Sequence, residues 1–224
     1  MSETADEQLP QEPPEAADDD EVVVLPWWHN PLNLIVVAVG LVLVCGTLGW
    51  VLGNNQAQPD PSDVDIGFLQ DMHWHHDQAT ELALTYLSDT GTDADLRVVA
   101  NEILVGQNQE IGLMIQMLRN FGKADTNETD TAMTWMGHPT PLDSMPGMAT
   151  EAQLDQLQRA SGPTADNLFV QLMTAHHQGG IEMATSAATN ANEGMVRTFA
   201  KQIAGNQQEE INEMQQLLQA SATS

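Results

Sequence analysis

The succession of apolar and polar positions divides this chain into regions of different period. From Leu34 to Leu52 nothing charged interrupts an apolar run of nineteen residues. As a helix rising about 1.5 Å per residue it would extend roughly 28 Å, close to the hydrocarbon thickness of a bilayer. A helix in a globular core would show a polar face. This run shows none, and Trp27, Trp28 and Trp50 stand near its ends, where indole rings favour the membrane–water boundary. The pattern predicts a transmembrane helix over 32–53. The preceding segment is acidic, where a secretory leader would be basic, and no small-x-small cleavage site stands out, so the helix is expected to remain uncleaved. Cys45 follows the bulky Val44 and reads as a buried membrane cysteine. Gly49 and Gly53 carry the spacing of a helix-dimer motif, which leaves a homo-oligomer open.

Beyond a polar spacer, 54–61, apolar residues fall three and four apart. Phe68, Met72, His75/His76, Ala79, Ala83 and Tyr86 form one stripe; Leu96, Ala100, Ile103, Gln107, Ile111, Met114 and Leu118 form the next. Ser62 with Asp65, and Thr92 with Asp95, predict the caps of these helices, and Gly91 the turn between them. The pattern then returns. Phe169, Met173, His176 and His177 repeat Phe68, Met72, His75 and His76 at an offset of 101. Ala200, Ile203, Gln207, Glu210, Ile211, Met214 and Leu218 repeat the second stripe at an offset of 100. Such ordered identity marks an internal duplication of a helical hairpin, over 62–121 and 162–220. Four long helices bury their stripes most simply as an all-α four-helix bundle. The connector, 122–161, is rich in Thr, Asp and Pro yet carries Met133, Trp135, Met136, His138, Met145 and Met148. Thr150 to Gln153 has the form of a capping box opening a short helix through Ser161. A connection this long is often functional; the plainer alternative is that its methionines anchor it to the bundle.

Charge narrows the partners. Six Lys and Arg stand against 32 Asp and Glu, a formal net charge of −26. So acidic a surface repels phosphate, which excludes nucleic-acid binding by counterion release, and favours cations. Nine of the acids lie in residues 1–31, a stretch without Lys or Arg that reads as a disordered acidic tail. With one cysteine in the chain, a disulfide framework and a Cys-based zinc cluster are ruled out.

The chemistry concentrates at the repeated His pairs. On a helix Met72 shares a face with His75 and His76, and Met173 with His176 and His177, while His73 lies close to the first group. Thioether and imidazole together suit Cu(I), whereas hard cations prefer oxygen. Glu110 and Glu210 fall between apolar positions of the second stripe. A carboxylate there either orients a histidine through its second ring nitrogen or lies at the stripe's edge and reaches water. The alternative for each Met is plain core packing.

These motifs resemble a known family, the bacterial "domain of unknown function 305" proteins. The resemblance rests on Met173-x-x-His176-His177-Gln178-Gly179-Gly180-Ile181-x-Met183-Ala184, on Met145-Pro146-Gly147-Met148 and on Gln207-x-x-Glu210-Ile211-x-x-Met214, and covers roughly Asp65 to Leu218. It implies a ferritin-like four-helix bundle, export or membrane anchoring, and, for some members, periplasmic copper binding. The first copy departs from the motif, with Trp74, Asp77 and Leu82 where the second has Ala175, Gln178 and Met183. Two unequal metal sites, one per hairpin, are therefore weighed against one shared layer. The di-iron chemistry of ferritin-like folds needs Glu-x-x-His pairs, and the chain has none. No enzymatic activity is expected. The reading that results is a single-pass membrane protein with its C-terminal domain outside the cytoplasm, binding or buffering copper. Its ligands would come from His75, His76, His176, His177, Met72, Met173, Met183 and His73, with Glu110 and Glu210 in support. The rival is a metal-free scaffold or accessory subunit of a membrane complex. Flanking charge does not fix the orientation, because the first basic residue is Arg97.

Overall fold

The computed structural model describes residues 25–56 and 60–221. Most of the acidic tail and part of the spacer, residues 1–24 and 57–59, lie outside the described residues. The chain forms two units, divided near Ala57, and each is described by itself.

In the first unit a short 3-10 turn, Trp27–His29, leads into α1, Pro31–Gln56. The Asn30 side chain accepts from the Leu32 N–H at 3.0 Å and so serves the first turn. Within α1, the stretch Pro31–Gly53 is long and apolar enough to cross a membrane. Its one hydroxyl, Thr47, donates back to the carbonyls of Leu43 at 2.8 Å and Val44 at 3.0 Å, a bond that needs neither water nor a partner helix.

The second unit is a bundle of four long helices: α2, Asp63–Leu87; α3, Ala94–Asn120; α5, Pro163–Asn190; and α6, Gly194–Ser221. The short α4, Glu151–Arg159, packs beside them. The Ser62–Asp65 and Thr150–Gln153 capping boxes both close. The cap of α3 is Asp93 rather than Thr92: its carboxylate accepts from the N–H groups of Asp95 and Leu96, both at 3.0 Å, while the Thr92 hydroxyl turns back to the Asp89 carbonyl. A full negative charge satisfies the positive end of a helix better than a hydroxyl does.

Two carboxylates join the hairpins. Asp65, buried near the start of α2, accepts from the N–H groups of Asn192 at 3.0 Å and Glu193 at 2.9 Å, in the turn after α5. Asp166, near the start of α5, accepts from the Asp93 N–H at 3.0 Å and the Tyr86 hydroxyl at 2.6 Å, at the far end of the first hairpin. Each hairpin thus caps the other's turn, and α2 and α5 run antiparallel. The core consequently divides into two apolar clusters, one at each end. Phe68, Leu69, Met72, Met114 and Leu118 meet Met183, Ala184, Phe199 and Ile203 in the first. Leu82, Tyr86, Leu96 and Ile103 meet Phe169, Met173 and Met214 in the second, with the Tyr86 and Phe169 rings stacked at 4.2 Å.

The connector is tied down along its length. A two-residue antiparallel pairing joins β1, Thr131–Ala132, to β2, Thr140–Pro141. Buried Asp71 of α2 accepts from the Met133 N–H at 2.7 Å, the Asn127 amide at 2.8 Å and the Trp135 indole at 2.9 Å. Met133 and Met145 sink into the first apolar cluster, with Met136 and Met148 packed against it. Gln78 of α2 then clasps Ala149, donating to its carbonyl at 2.8 Å and accepting from its N–H at 2.6 Å. At the corresponding place in α5 stands Gly179, where a Cβ would lie 1.9 Å from the Pro146 carbonyl oxygen. Backbone passes where the second repeat has no side chain.

This contact sets two glycines of the bundle apart. Gly205, in α6, faces open space, so Gly205→Ala should stabilise by about 0.5–1 kcal/mol through helix propensity. Gly179→Ala gains the same propensity but must displace the connector, and chemical denaturation should show it less stable than wild type by about 1–3 kcal/mol. Equal stabilisation by both substitutions would mean that the connector does not press on α5.

Candidate metal centre

Between the two apolar clusters lies a polar layer built by both repeats. His75, His76, His176 and His177 are fully buried there, together with Gln107 and Gln207. The duplication explains the arrangement: each His pair sits near the middle of its helix, and antiparallel α2 and α5 bring the two middles side by side. The rings of His75 and His176 lie 3.8 Å apart, centroid to centroid, inclined at 33°. The structure therefore brings the two His pairs into one shared layer instead of isolating one pair in each hairpin.

Partners on one side of each ring determine what the other side offers. The Nε2 of His76 is 2.8 Å from Glu110 Oε2, and that of His177 is 2.6 Å from Glu210 Oε2. Both carboxylates belong to the return helix of the same hairpin, and their side chains are 13% and 23% exposed. They thus combine the two roles weighed for them, holding a histidine while touching water. His75 Nε2 is 3.0 Å from the Pro146 carbonyl oxygen. A carbonyl can only accept, so His75 carries its proton on Nε2 and keeps a lone pair on Nδ1. Donation to Glu110 and Glu210 imposes the same tautomer on His76 and His177.

The Nδ1 atoms of all four histidines are buried without a hydrogen-bond partner among the described residues. The same holds for His176 Nε2 and both amide atoms of Gln207. A buried polar atom left unpaired costs on the order of 1–3 kcal/mol, so this concentration of free lone pairs marks a place prepared for something other than internal hydrogen bonding. Burial pushes the His75 imidazolium down to about 3, aided by the neighbouring rings of His76 and His177 against the opposing Pro146 carbonyl. Burial and the other three imidazoles hold His176 well below its usual range. Both are neutral near pH 7, the state in which imidazole binds a metal.

The thioethers flank this layer. Met72 and Met183 are buried in the first apolar cluster and Met173 in the second. Since Met72 comes from one repeat and Met183 from the other, the thioether that the first repeat lacks at Leu82 does not impoverish its own His pair alone. His73 stands apart: its Nδ1 lies 2.9 Å from the Asp125 carbonyl oxygen and its Nε2 3.7 Å from Asp77, toward the start of the connector. Among the described residues no three His, Cys, Asp or Glu side chains form a group able to hold a metal by themselves. Imidazole nitrogens and thioether sulfurs, taken together, are donors that suit soft ions better than hard ones.

Several residues that shape the layer stood in the family motifs without a role being assigned to them. Pro146 fixes His75. Gly147, at a positive φ of 78°, lies so close to α5 that a Cβ would be 2.2 Å from the Ala175 carbonyl oxygen and 2.8 Å from the His176 Cα. Gly180 leaves room for the Gln207 amide. The Gly179-Gly180 pair inside a long helix was the available signal, because two glycines there cost about 1 kcal/mol each relative to alanine.

The model for "Domain of unknown function (DUF305)" matches residues 65–218, and the chain belongs to that family. A DUF305 protein from Streptomyces coelicolor has a crystal structure similar to this chain, with 34% identity and a TM-score of 0.64, covering 70% of this chain and 93% of that one. A DUF305 fragment from Deinococcus radiodurans is 27% identical, with a TM-score of 0.62, covering 72% of this chain and 99% of the other. CopM in its Cu(I)-bound form is 26% identical, with a TM-score of 0.51, covering 70% of this chain and 96% of that chain. No curated protein matches the chain.

The depressed histidines make stability depend on pH. In the unfolded chain imidazole titrates near 6.5, so above that value both states are neutral and the native protein keeps its full stability. Below it the unfolded chain takes up protons that His75 and His176 refuse, and stability should fall with a slope that steepens toward about 1.4 kcal/mol per pH unit for each residue near pH 5. Denaturation of the metal-free protein at several pH values between about 7 and 5 should show this slope, and His75→Phe should make it shallower. An unchanged slope in that variant would show that His75 protonates freely in the folded state.

Proposed function

We propose that this protein binds Cu(I) in the buried layer between its repeats and holds or buffers it at the outer face of a membrane, anchored by α1. The observation that carries the reading is the set of unpartnered ring nitrogens on His75, His76, His176 and His177. Glu110 and Glu210 support two of these rings from behind, as second-sphere carboxylates do in metal sites. Met72, Met173 and Met183 add the soft donors that favour Cu(I) over Zn²⁺. CopM, a structural relative, has been solved with Cu(I) and with silver, another soft monovalent ion. With no cysteine after Cys45, the bundle would bind without thiolates that an oxidising compartment consumes. The role read here is storage or carriage, and the sequence lacks the Glu-x-x-His pair that di-iron oxygen chemistry uses. Copper is cargo here, and the chain's contribution is to keep four imidazoles buried and oriented.

The protein in detergent should compete for Cu(I) with a chromophoric chelator and bind Zn²⁺ much more weakly. Met72→Leu with Met183→Leu conserves volume, so stability should change by less than about 1.5 kcal/mol, while Cu(I) affinity should fall by about tenfold or more. Replacing all four layer histidines by Ala should abolish binding. Wild-type affinity in that variant would leave the scaffold reading standing.

Anchoring supports the same compartment. The chain has one N-terminal helix able to cross a bilayer, and the Streptomyces coelicolor relative is called a secreted protein. Residues 54–224 would then lie outside and residues 1–31 inside. With Cys45 changed to Ala, a cysteine placed at exposed Thr90 should react with a membrane-impermeant thiol reagent in intact cells. Labelling that requires lysis would reverse the orientation.

A further inference from the structure

The buried layer reaches water through its two carboxylates, Glu110 and Glu210, and beside Glu110 there is room for more than water. Toward either end of the bundle it is closed by the apolar clusters. Across α2 and α5 it is closed by the connector, whose Pro146 carbonyl meets His75 and whose Gly147 lies against His176. Between α3 and α6 there is instead a cavity of about 220 Å³, lined by Gly106, Glu110, Leu113, Phe199 and Asn206 among others. Glu110 spans its wall. One carboxylate oxygen meets buried His76 at 2.8 Å, and the other accepts from the Asn206 amide at 3.0 Å on the outer side. Behind that carboxylate is a fully buried imidazole whose Nδ1 has no partner.

We propose that soft cations reach the layer through this seam, drawn first to the Glu110 carboxylate in its wall and then past the His76 ring to the unpartnered nitrogens beyond it. The inference rests on the metal-binding reading and adds its route. A carboxylate at the neck admits cations and repels anions. The amide of Asn206 holds its outer oxygen in place while no cation is present. The seam has room at Gly106, which lines the cavity and where a Cβ would meet nothing within 4 Å. The two repeats differ here, since Asn206 of the second corresponds to Gly106 of the first. The first repeat therefore contributes the gap and the second the amide that meets Glu110.

Gly106→Leu should plug the seam without disturbing the fold, because it fills open space and raises helix propensity. Gly205→Leu, which also faces open space but does not line the cavity, is the control. With Ag(I) as the probe and the full chain in detergent, stopped-flow loading of Gly106→Leu should slow by about fivefold or more while equilibrium affinity stays near wild type. Gly205→Leu should load at the wild-type rate. Unchanged loading of Gly106→Leu would overturn the route. A second readout does not involve metal: hydrogen–deuterium exchange at the His76 ring carbon in the apoprotein should slow in Gly106→Leu, and exchange as fast as wild type would also overturn it. Absence of saturable Ag(I) binding in the wild type would defeat the metal reading itself, and the exchange measurement would still decide the route.

Discussion

Four imidazoles and two primary amides are buried in the middle of this bundle, and the rest of the domain is arranged around the difficulty of keeping them there. Polar atoms in an apolar interior are tolerated when they are paired, yet seven side-chain atoms of His75, His76, His176, His177 and Gln207 have no partner among the described residues. Such a layer weakens a bundle unless the structure on either side is strong enough to hold it. The two apolar clusters supply that strength, one at each end, so that the polar layer is clamped between them. Glu110, Glu210 and the Pro146 carbonyl then each take one ring nitrogen, which fixes ring orientation and leaves the opposite nitrogen free.

The duplication matters because of direction as well as number. Had α2 and α5 run parallel, Met72 and Met173 would have fallen at the same end of the bundle. The antiparallel arrangement sends them to opposite ends and places Met183 beside the cluster of Met72. A substitution in one repeat is therefore felt in a neighbourhood that both repeats build. The asymmetries follow the connector, which touches only one side: Gln78 clasps it in the first repeat, and Gly179 makes way for it in the second.

Much of this was legible in the chain. The apolar run of α1, the 3.6-residue stripes and the offset repeat of the His pairs carry the six-helix order, because hydrophobic period reports directly on which face is buried. What was not legible depends on contacts between segments far apart in sequence. Whether the His pairs would share a layer could not follow from a repeat alone, since it depends on the crossing of α2 and α5, which Asp65 and Asp166 secure. His73 was grouped with the His pairs, and Asp71 and Gln78 drew no reading from the sequence. Only the path of the connector separates them, holding Asp71 and Gln78 to its backbone and drawing His73 to the Asp125 carbonyl, away from the other rings.

The exchange of caps between hairpins also bears on how such a domain arose. Asp65 satisfies the turn of the second hairpin and Asp166 that of the first, through bonds that join residues more than seventy positions apart. A chain carrying one hairpin alone would own a capping carboxylate with no turn to cap and a turn with no carboxylate. Pairing with an identical copy about a twofold axis would supply both at once, because in such an interface every contact occurs twice with the roles reversed. The present bundle has the form of that homodimer joined end to end. Its connector builds into a single chain an association that between separate hairpins would depend on concentration.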